Sequence, residues 1–108
     1  MQDFMEIKFL NKQIESFVEN LEKPFIAKVL RTLDLLEKFG NQLGMPHCKK
    51  IDKDLFELLI RGKKEIRIFY CFHKNIIVLL HAFIKKTQKI PKVNILLAKK
   101  RLNSIDHL

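Results

Sequence analysis

Residues 11–40 alternate between apolar and polar positions with the period of an α-helix. After Asn11, a suitable N-cap, the apolar residues that recur at helical spacing are Ile14, Phe17, Val18 and Leu21. Pro24 suits the first turn of a second helix, whose apolar stripe consists of Ile26, Val29, Leu30, Leu33 and Leu36. Gly40 is typical of a helix end. The pattern predicts a helical hairpin with one shared apolar face.

The middle of the chain carries the short apolar runs that are typical of β-strands. Residues 40–54 contain two glycines and a proline and predict a loop. The strand-like runs that follow are LFELLIR (55–61), EIRIFYCFH (65–73) and IIVLLHAF (76–83). Short turn-like segments separate them, so they predict an antiparallel meander. Apolar residues on both faces of the last two runs indicate central strands that are covered on both sides.

Two shorter patterns complete the predicted fold. Alternation at Met5, Ile7 and Phe9 allows a short strand before the first helix. The segment from Pro91 to about Arg101 predicts a helix that has on one side Val93, Leu96 and Leu97. The predicted fold class is α+β: an N-terminal helical hairpin packed on a small, mainly antiparallel sheet and closed by a C-terminal helix. A single domain over residues 1–108 is expected.

The turn between the last two predicted strands decides which side chains share a face. With a two-residue loop, Lys74–Asn75, Arg67 lies opposite Ala82 and points away from the face of His81. With a three-residue loop, His73–Asn75, Arg67 lies directly across from His81. We favour the longer loop because asparagine tolerates the left-handed conformation that its last position demands. Directly opposed side chains have Cβ atoms about 4.5–5.5 Å apart, close enough to share one phosphate.

The positive charge of the chain is concentrated in its C-terminal part. The formal net charge is +9. Residues 61–101 contain 12 lysines and arginines and one acid, Glu65, whereas the rest of the chain has 9 basic and 11 acidic residues. Charge of one sign attracts polyanions and speeds their capture. A solvated basic surface without a dedicated partner is the alternative, and no basic amphipathic helix with an aromatic face suggests a membrane.

Other features indicate the class of protein. The N-terminus MQDFMEIKFL has acids where a secretory signal has a basic and then an apolar run. The longest apolar runs fall well short of the roughly 18 residues that a membrane span needs. Cys48 and Cys71 are far apart and form no CxxC motif, so neither a zinc site nor a disulfide is indicated. We expect a cytoplasmic protein with reduced thiols and no membrane partner.

The residues with catalytic potential gather in and after the last two predicted strands. The four histidines fall in different segments without an acidic cluster, and glycine-rich phosphate loops and nucleophile motifs are absent, so we expect no metal and no cofactor. The remaining candidates are Arg67, His81, Lys85 and Lys86.

Each candidate taken alone also has a structural explanation. A strand arginine can pair with an acid such as Glu57 or Glu65, a strand histidine can be a satisfied core residue, and a lysine pair can simply be solvated. Together they fit RNA cleavage, because RNA carries its own nucleophile, the 2′-OH. Fixed cations stabilise the charge on the phosphoryl oxygens. Histidine titrates near neutrality and can act as the acid or the base.

Several of these runs resemble one family. EIRIFYCF, then IIVLLHAFIKKTQKIP, then a basic helix ending in KKRL resemble the HigB-like toxins of phage-derived type within the RelE/ParE superfamily. The usual pattern there is similar to ELR, EYRILY and LLHGFxKKTQKTP. The preceding run LEKFGNQLGMPHCKKI also resembles the loop of that family. The resemblance covers roughly residues 5–103.

The resemblance implies the toxin of a type II toxin–antitoxin pair with a RelE-like fold. Such a toxin is a metal-independent mRNA endonuclease that usually acts on ribosome-bound message. Its partner is a small helix-turn-helix antitoxin of HigA type that represses the operon, so DNA is contacted only through the antitoxin. In this interpretation Arg67 stabilises the phosphorane, His81 is the acid or base, and Lys85 and Lys86 hold neighbouring phosphates. Further RNA contacts are expected at Arg61, Lys63, Thr87, Gln88 and Lys89.

Three positions depart from the family pattern. Leu59 stands where the family commonly has the arginine of ELR, and Arg61, two residues on, is a candidate substitute. Ala82 replaces the glycine of LLHGF. Ile90 replaces a threonine that would cap the last helix, a loss of about 1 kcal/mol. Two alternatives therefore stay open: a ParE-like inhibitor of DNA gyrase, and a degenerate toxin that only binds its antitoxin.

Overall fold

The chain forms one five-stranded sheet with three helices within the part that the structure describes. A computed structural model describes residues 4–105. In chain order its elements are β1 (Glu6–Phe9), α1 (Lys12–Glu19), α2 (Lys23–Phe39), a short 3-10 helix (Gly40–Gln42), β2 (Cys48–Asp52), β3 (Leu55–Ile60), β4 (Glu65–His73), β5 (Ile76–Lys85) and α3 (Lys92–Ser104). The fold class is α+β, as the sequence predicts.

The strands are arranged in the order β1-β5-β4-β3-β2. The pairs from β2 to β5 are antiparallel, whereas β1 runs parallel to β5. The predicted meander, the short first strand and the central position of the last two strands are confirmed. The sheet is therefore mainly antiparallel, with a single parallel pair at one edge.

The strand β2 corrects the prediction of a continuous loop over residues 40–54. Its sequence is CKKID, and only Cys48 is buried, while Lys49 and Lys50 are exposed. Pairing with β3 satisfies its backbone groups on one side, and its other side is the edge of the sheet. Polar, lysine-rich edge strands are common because charge discourages pairing with other chains. Such a strand lacks the apolar signal on which the sequence prediction relied.

The helix boundaries follow the local signals in the sequence. The side-chain oxygen of Asn11 accepts a 3.0 Å hydrogen bond from the Ile14 amide, which confirms the predicted N-cap. Pro24 lies in the first turn of α2, where its missing N–H is not needed. Gly40 ends α2 with φ +54°, a conformation that L side chains rarely adopt. All three predictions hold.

The sheet is covered on both faces. The residues of α1 and α2 that pack on one face are Ile14, Val18, Phe25, Val29, Leu33 and Leu36. They cover the side chains of Leu58, Ile60, Ile66, Ile68, Tyr70, Ile77, Leu79 and Ala82. The other face holds a smaller core of Leu55, Phe69, Cys71, Val78, Leu80 and Phe83 with Ala98 and Ile105. The second face, which carries α3, also carries the candidate site.

The orientation of α3 corrects another prediction. Val93 and Leu96 are 68% and 65% exposed, so the side that the sequence indicated faces solvent. The buried contact is instead made by Ala98, with Ile95 and Leu102 beside it. A small residue at the centre of the contact lets the helix approach the sheet closely. The other predicted apolar residue, Leu97, is half-buried.

Both cysteines are free and buried. Burial, with a smaller contribution from Asp54, raises the pKa of the Cys71 thiol to about 11. The Cys48 thiol donates a 3.1 Å hydrogen bond to the Leu43 carbonyl oxygen. Both thiols are therefore enclosed, whereas a nucleophile must be accessible to its substrate. Within residues 4–105, no helix has both the length and the apolar character to cross a bilayer.

Candidate functional site

Basic side chains converge at the end of the sheet where β3 ends, β4 begins and β5 ends. Antiparallel pairing brings these ends together, with Lys85 directly across from Glu65. A depression of about 440 Å³ here is lined by Lys63, Lys64, Glu65, Ile84, Lys85 and Lys86. Lys63, Lys85 and Lys86 form no ion pair within residues 4–105. The structure thus brings together three of the predicted site residues at one open position.

Glu65 is the carboxylate at the centre of this basic depression. Its Oε1 accepts hydrogen bonds from Arg67 at 3.0 and 3.2 Å and from Arg61 at 3.5 Å. Its Oε2 accepts a 3.2 Å hydrogen bond from the Gly62 amide. Glu65 therefore fixes the β3–β4 turn and neutralises part of the charge of both arginines. Arg61 remains mostly exposed, with 57% of its side chain accessible.

Arg67 lies beneath this surface, where only 4% of its side chain is accessible. Both terminal nitrogens donate to Glu65, and Nε lies 3.5 Å from Oε2 of Glu57. Arg67 thus forms ion pairs with both Glu57 and Glu65, as the structural explanation of this residue predicts. Substrate can reach the guanidinium only if Glu65 gives up its hydrogen bonds.

Glu57 is a residue whose importance the sequence analysis missed. It is 0% exposed, and within the described residues neither carboxylate oxygen has a hydrogen-bond partner. Its charge is balanced by Arg67 and by Lys49, whose Nζ lies 3.6 Å from Oε1. An acid in the apolar run LFELLI was itself a signal, because a buried carboxylate must be paired. From the sequence alone, Glu57 is predicted only as a possible partner for Arg67.

The β4–β5 hairpin corrects the predicted three-residue loop. His73 pairs with Ile76, so the loop is Lys74–Asn75, and φ is positive at both residues. This is the geometry that a tight two-residue hairpin demands. The register then shifts by one: Tyr70 pairs with Leu79, but Phe69 pairs with His81. Leu80 is the extra residue of a β-bulge.

The bulge decides the relation between Arg67 and His81. Arg67 is paired with Phe83 and not with His81, so the predicted direct opposition is wrong. Without the bulge, however, a two-residue loop would have placed the two residues on opposite faces. With it they share the α3 face as diagonal neighbours, whose backbones are about 7–8 Å apart in such pairs. The two residues are therefore near each other but are not directly opposed, in contrast to the prediction.

The His81 ring is held by α3 and by its aromatic neighbours. The ring nitrogen Nε2 lies 2.7 Å from the amide oxygen of Asn94, so Nε2 carries the hydrogen and donates it. The ring stacks on Phe83 with 5.5 Å between centroids. Burial lowers the pKa of His81; the hydrogen bond to Asn94 opposes this, and the charge of Arg101 adds to it. His81 is therefore neutral at pH 7, with Nδ1 as its acceptor.

Arg101 of α3 stabilises the bulge. Its Nη1 donates a 2.7 Å hydrogen bond to the Leu80 carbonyl oxygen, and its Nη2 lies 3.3 Å from the side-chain oxygen of Gln13. A bulged residue is left out of the strand ladder and needs another partner. Although Arg101 belongs to the basic C-terminal part, its guanidinium is committed to the backbone of β5.

The segment after β5 projects from the same end of the sheet. Thr87, Gln88 and Lys89 are all exposed, and the Thr87 hydroxyl donates a 2.6 Å hydrogen bond to the Lys89 carbonyl. The N-cap of the helix that follows is Pro91, without a side-chain hydrogen bond, so the prediction that residue 90 occupies the N-cap is wrong. This segment stands beside the lysines but does not enclose them.

Leu59, which stands where the family pattern has an arginine, lies directly opposite Arg67 in the sheet. The two residues are paired in the β3–β4 register, and Leu59 is 5% exposed. An apolar side chain thus lies across from Arg67, and Arg61 extends from the end of the same strand face.

Among residues 4–105, no three side chains of metal-ligating type are close enough to hold a cation.

A known protein family matches most of the chain. Residues 16–103 match the family model described as phage derived protein Gp49-like (DUF891). No curated protein sequence matches the chain significantly. The match includes every predicted site residue and all elements from within α1 to near the end of α3.

Proposed function

Because the chain belongs to the Gp49-like family of phage-derived proteins, a toxin–antitoxin-associated family of RelE/ParE-like toxins, we propose that it is a HigB-like mRNA endonuclease. It would have a RelE-like fold in a single toxin domain, with α1 and α2 as its helical hairpin. It would act in the cytoplasm on message, most effectively at the ribosome, and so inhibit translation.

One observation carries this proposal: Lys85, which lines an open basic depression, lies on the same face of β5 as the neutral His81. Lys63, Lys85 and Lys86 line the depression, and His81 lies four residues before Lys85 on β5. Four strand residues span about 13 Å. The lysines therefore suit the phosphates next to the one that His81 would serve.

The reaction needs one base, which these residues supply, and one proton donor, which solvent water can supply. The 2′-OH attacks the adjacent phosphorus and its proton passes to the base, while the bond to the 5′-oxygen breaks and that oxygen takes a proton from water. Neutral His81 has the acceptor, Nδ1, for the first transfer. Its Nε2–H is fixed by Asn94, which holds one tautomer, as catalytic histidines require.

Arg67 is proposed as the cation that stabilises the phosphorane. In the substrate-free protein its terminal nitrogens are bound to Glu65, so a phosphate would replace Glu65 as their partner. Arg61, Lys63, Thr87, Gln88 and Lys89 are proposed as flanking RNA contacts. All five are exposed at the same end of the sheet.

The test combines 5′-end mapping of transcripts after induction in a bacterial host with cleavage by the purified protein in chelator. We expect cut message, no effect of chelator, and strong loss of cleavage in Arg67→Lys and His81→Gln variants that remain folded. Growth arrest with intact message would overturn the proposal.

A second candidate is a ParE-like inhibitor of DNA gyrase. It is favoured by Leu59 in place of the family arginine and by the closed ion pairs of Arg67. Inhibition of supercoiling by purified gyrase, without RNA cleavage, would identify it. A protein that does neither and only binds its antitoxin would be the degenerate toxin.

The proposed partner is a HigA-like helix-turn-helix antitoxin. If it covers the basic depression, its binding should weaken in about 0.5 M salt and lose affinity when Lys85 and Lys86 are replaced by alanine. Salt-independent binding that survives both substitutions would place it on α1 and α2.

A further inference from the structure

A second basic depression lies on the other side of the β3–β4 turn. It has a volume of about 300 Å³ and lies between α2, the end of β3 and the loop before β2. The residues with charge or ring groups that line it are Lys28, Arg31, His47 and Arg61. It shares no lining residue with the depression formed by Lys63, Lys85 and Lys86.

Two of the charges in this second depression, those of Lys28 and Arg31, have no balancing acid within the described residues, whereas the third, Arg61, pairs with Glu65 outside the depression. None of its lining residues is an acid, and within residues 4–105 neither Lys28 nor Arg31 forms an ion pair. The two residues are three apart on α2, so their charges lie on the same side of the helix, where like charges repel. An arrangement of this kind is stabilised when an anion binds between the charges.

The turn physically connects the two depressions. Lys28 Nζ donates a 3.2 Å hydrogen bond to the Arg61 carbonyl oxygen. A Cβ at position 62 would lie 2.7 Å from that nitrogen, so a larger residue than Gly62 would displace the flexible end of the Lys28 side chain. The next residues, Lys63 and Lys64, line the first depression. Together the depressions are lined by seven lysines and arginines and by one carboxylate, Glu65.

We propose that the second depression, around Lys28 and Arg31, binds phosphates of the same single-stranded RNA that occupies the first. This rests on the proposed function, because a cleaved message is a polymer whose backbone must continue across the surface on either side of the reacting phosphate. The exposed Arg61 joins the two binding regions. The half-buried ring of His47 adds a flat surface on which a base can stack.

The test measures how salt weakens RNA binding. The affinity falls as salt rises, and each phosphate contact to a single strand contributes about −0.7 to the slope of log K against log salt. Each lost contact therefore makes the slope shallower by about 0.7. The probes are two 2′-O-methylated RNA oligomers, which cannot be cleaved. Their lengths are about 4 and about 14 nucleotides, within the range of site sizes that is typical of proteins that bind single strands. With the long oligomer, Lys28→Ala/Arg31→Ala should make the slope shallower by about 1.4. Binding of the short oligomer should be unchanged.

A control variant removes the same charge elsewhere. Lys38→Ala/Lys53→Ala replaces two exposed lysines, one at the end of α2 and one beyond β2, and should leave the slope unchanged. Lys28→Gln/Arg31→Gln, which keeps long side chains, should repeat the effect of the alanines. Thermal unfolding checks that all variants are folded.

The outcomes separate this inference from the proposed function. If the wild type cleaves RNA but the Lys28/Arg31 variants keep its salt slope, the second binding region is wrong and the cleavage proposal stands. If the slope becomes shallower as expected but the wild type cleaves no RNA, cleavage is wrong and the binding region stands. Loss of antitoxin binding with unchanged RNA binding would show that the depression holds an acidic protein segment, and would overturn the inference.

Discussion

Arg101 in α3 donates a 2.7 Å hydrogen bond to the carbonyl oxygen of Leu80, the extra residue in β5. The contact joins the C-terminal helix to the one irregular point of the central strands. That irregular point turns His81 onto the face that carries Arg67. A helix residue that never touches the proposed substrate thus determines where a strand residue points.

Arg101→Met should destabilise the protein and reduce cleavage. Methionine keeps the apolar stem but removes a charged hydrogen-bond donor, and such bonds contribute about 1.5–3 kcal/mol. We expect the free energy of unfolding in urea to fall by about 2 kcal/mol. Lys100→Met, at the exposed neighbouring position, should change it little. Unchanged stability in Arg101→Met would mean that the bulge does not depend on this bond.

The buried pair of Arg67 and Glu57 should show strong energetic coupling. Removing one partner leaves a buried charge uncompensated, which costs about 3–5 kcal/mol, whereas replacing both by apolar residues is often nearly neutral. Arg67→Met alone should therefore be much less stable than Glu57→Leu/Arg67→Met. Urea unfolding of the two single variants and the double variant gives the coupling energy. Additive effects would contradict the pairing.

Glu65→Gln should increase the affinity for RNA. Glu65 occupies the terminal nitrogens of Arg67 and contacts Arg61, so it competes with phosphate for both. One charge contact in water is worth about 1 kcal/mol, or about fivefold in affinity. Fluorescence anisotropy with a non-cleavable oligomer at low salt measures the change, and Glu19→Gln on α1 is the control for net charge. Equal affinities in Glu65→Gln and Glu19→Gln would show that the arginines do not take part in binding.

The lowered pKa of His81 predicts a loss of stability in mild acid. An unfolded histidine binds a proton near pH 6.5, but burial makes folded His81 bind it only at lower pH. The stabilisation is therefore complete above pH 6.5 and is lost as the pH falls through the window below it. Between about pH 7.5 and pH 5.5, the wild type should lose more unfolding free energy than His81→Gln. Equal losses would refute a lowered pKa.

The same group can be followed directly by NMR titration. The hydrogen bond to Asn94 raises the pKa of His81, and the charge of Arg101 lowers it. Asn94→Ala should therefore move the pKa further down, and Arg101→Met should move it up. If His81 is the base, cleavage should fall on the acidic side of the measured pKa in each variant.

The parts of the fold that local chemistry specifies could be predicted from the sequence. Asn11 and Gly40 mark helix boundaries by their own side chain or backbone, and the apolar runs of β4 and β5 identify the centre of the sheet. The strand β2 was missed because Lys49 and Lys50 lie on an edge and show no apolar pattern. The outward face of α3 was misjudged because exposed apolar residues at helical spacing look like a core.

The candidate site was predictable in its residues but not in its geometry. The lysines around the first depression follow from strand ends that any meander brings together. The bulge at Leu80 has no local signal, because Leu79 and Leu80 are both apolar and each is buried, on opposite faces. The carbonyl oxygen of Leu80 accepts a hydrogen bond from Arg101, 21 residues away, which no pattern within β5 can indicate. Likewise, the closed state of Arg67 depends on a three-way contact with Glu57 and Glu65 that no single segment encodes.

The parallel pairing of β1 with β5 has a consequence for the order in which the protein is made. Glu6 pairs with Ile76, a separation of about 70 positions, and contacts of such long range form late in folding. β1 leaves the ribosome well before β5 and must therefore wait for it before it can join the sheet. α3, which holds the bulge, is synthesised later still. The proposed cleavage site is thus completed only after α3 has been synthesised, so a nascent chain that ends before α3 has no assembled site with which to act on its own message.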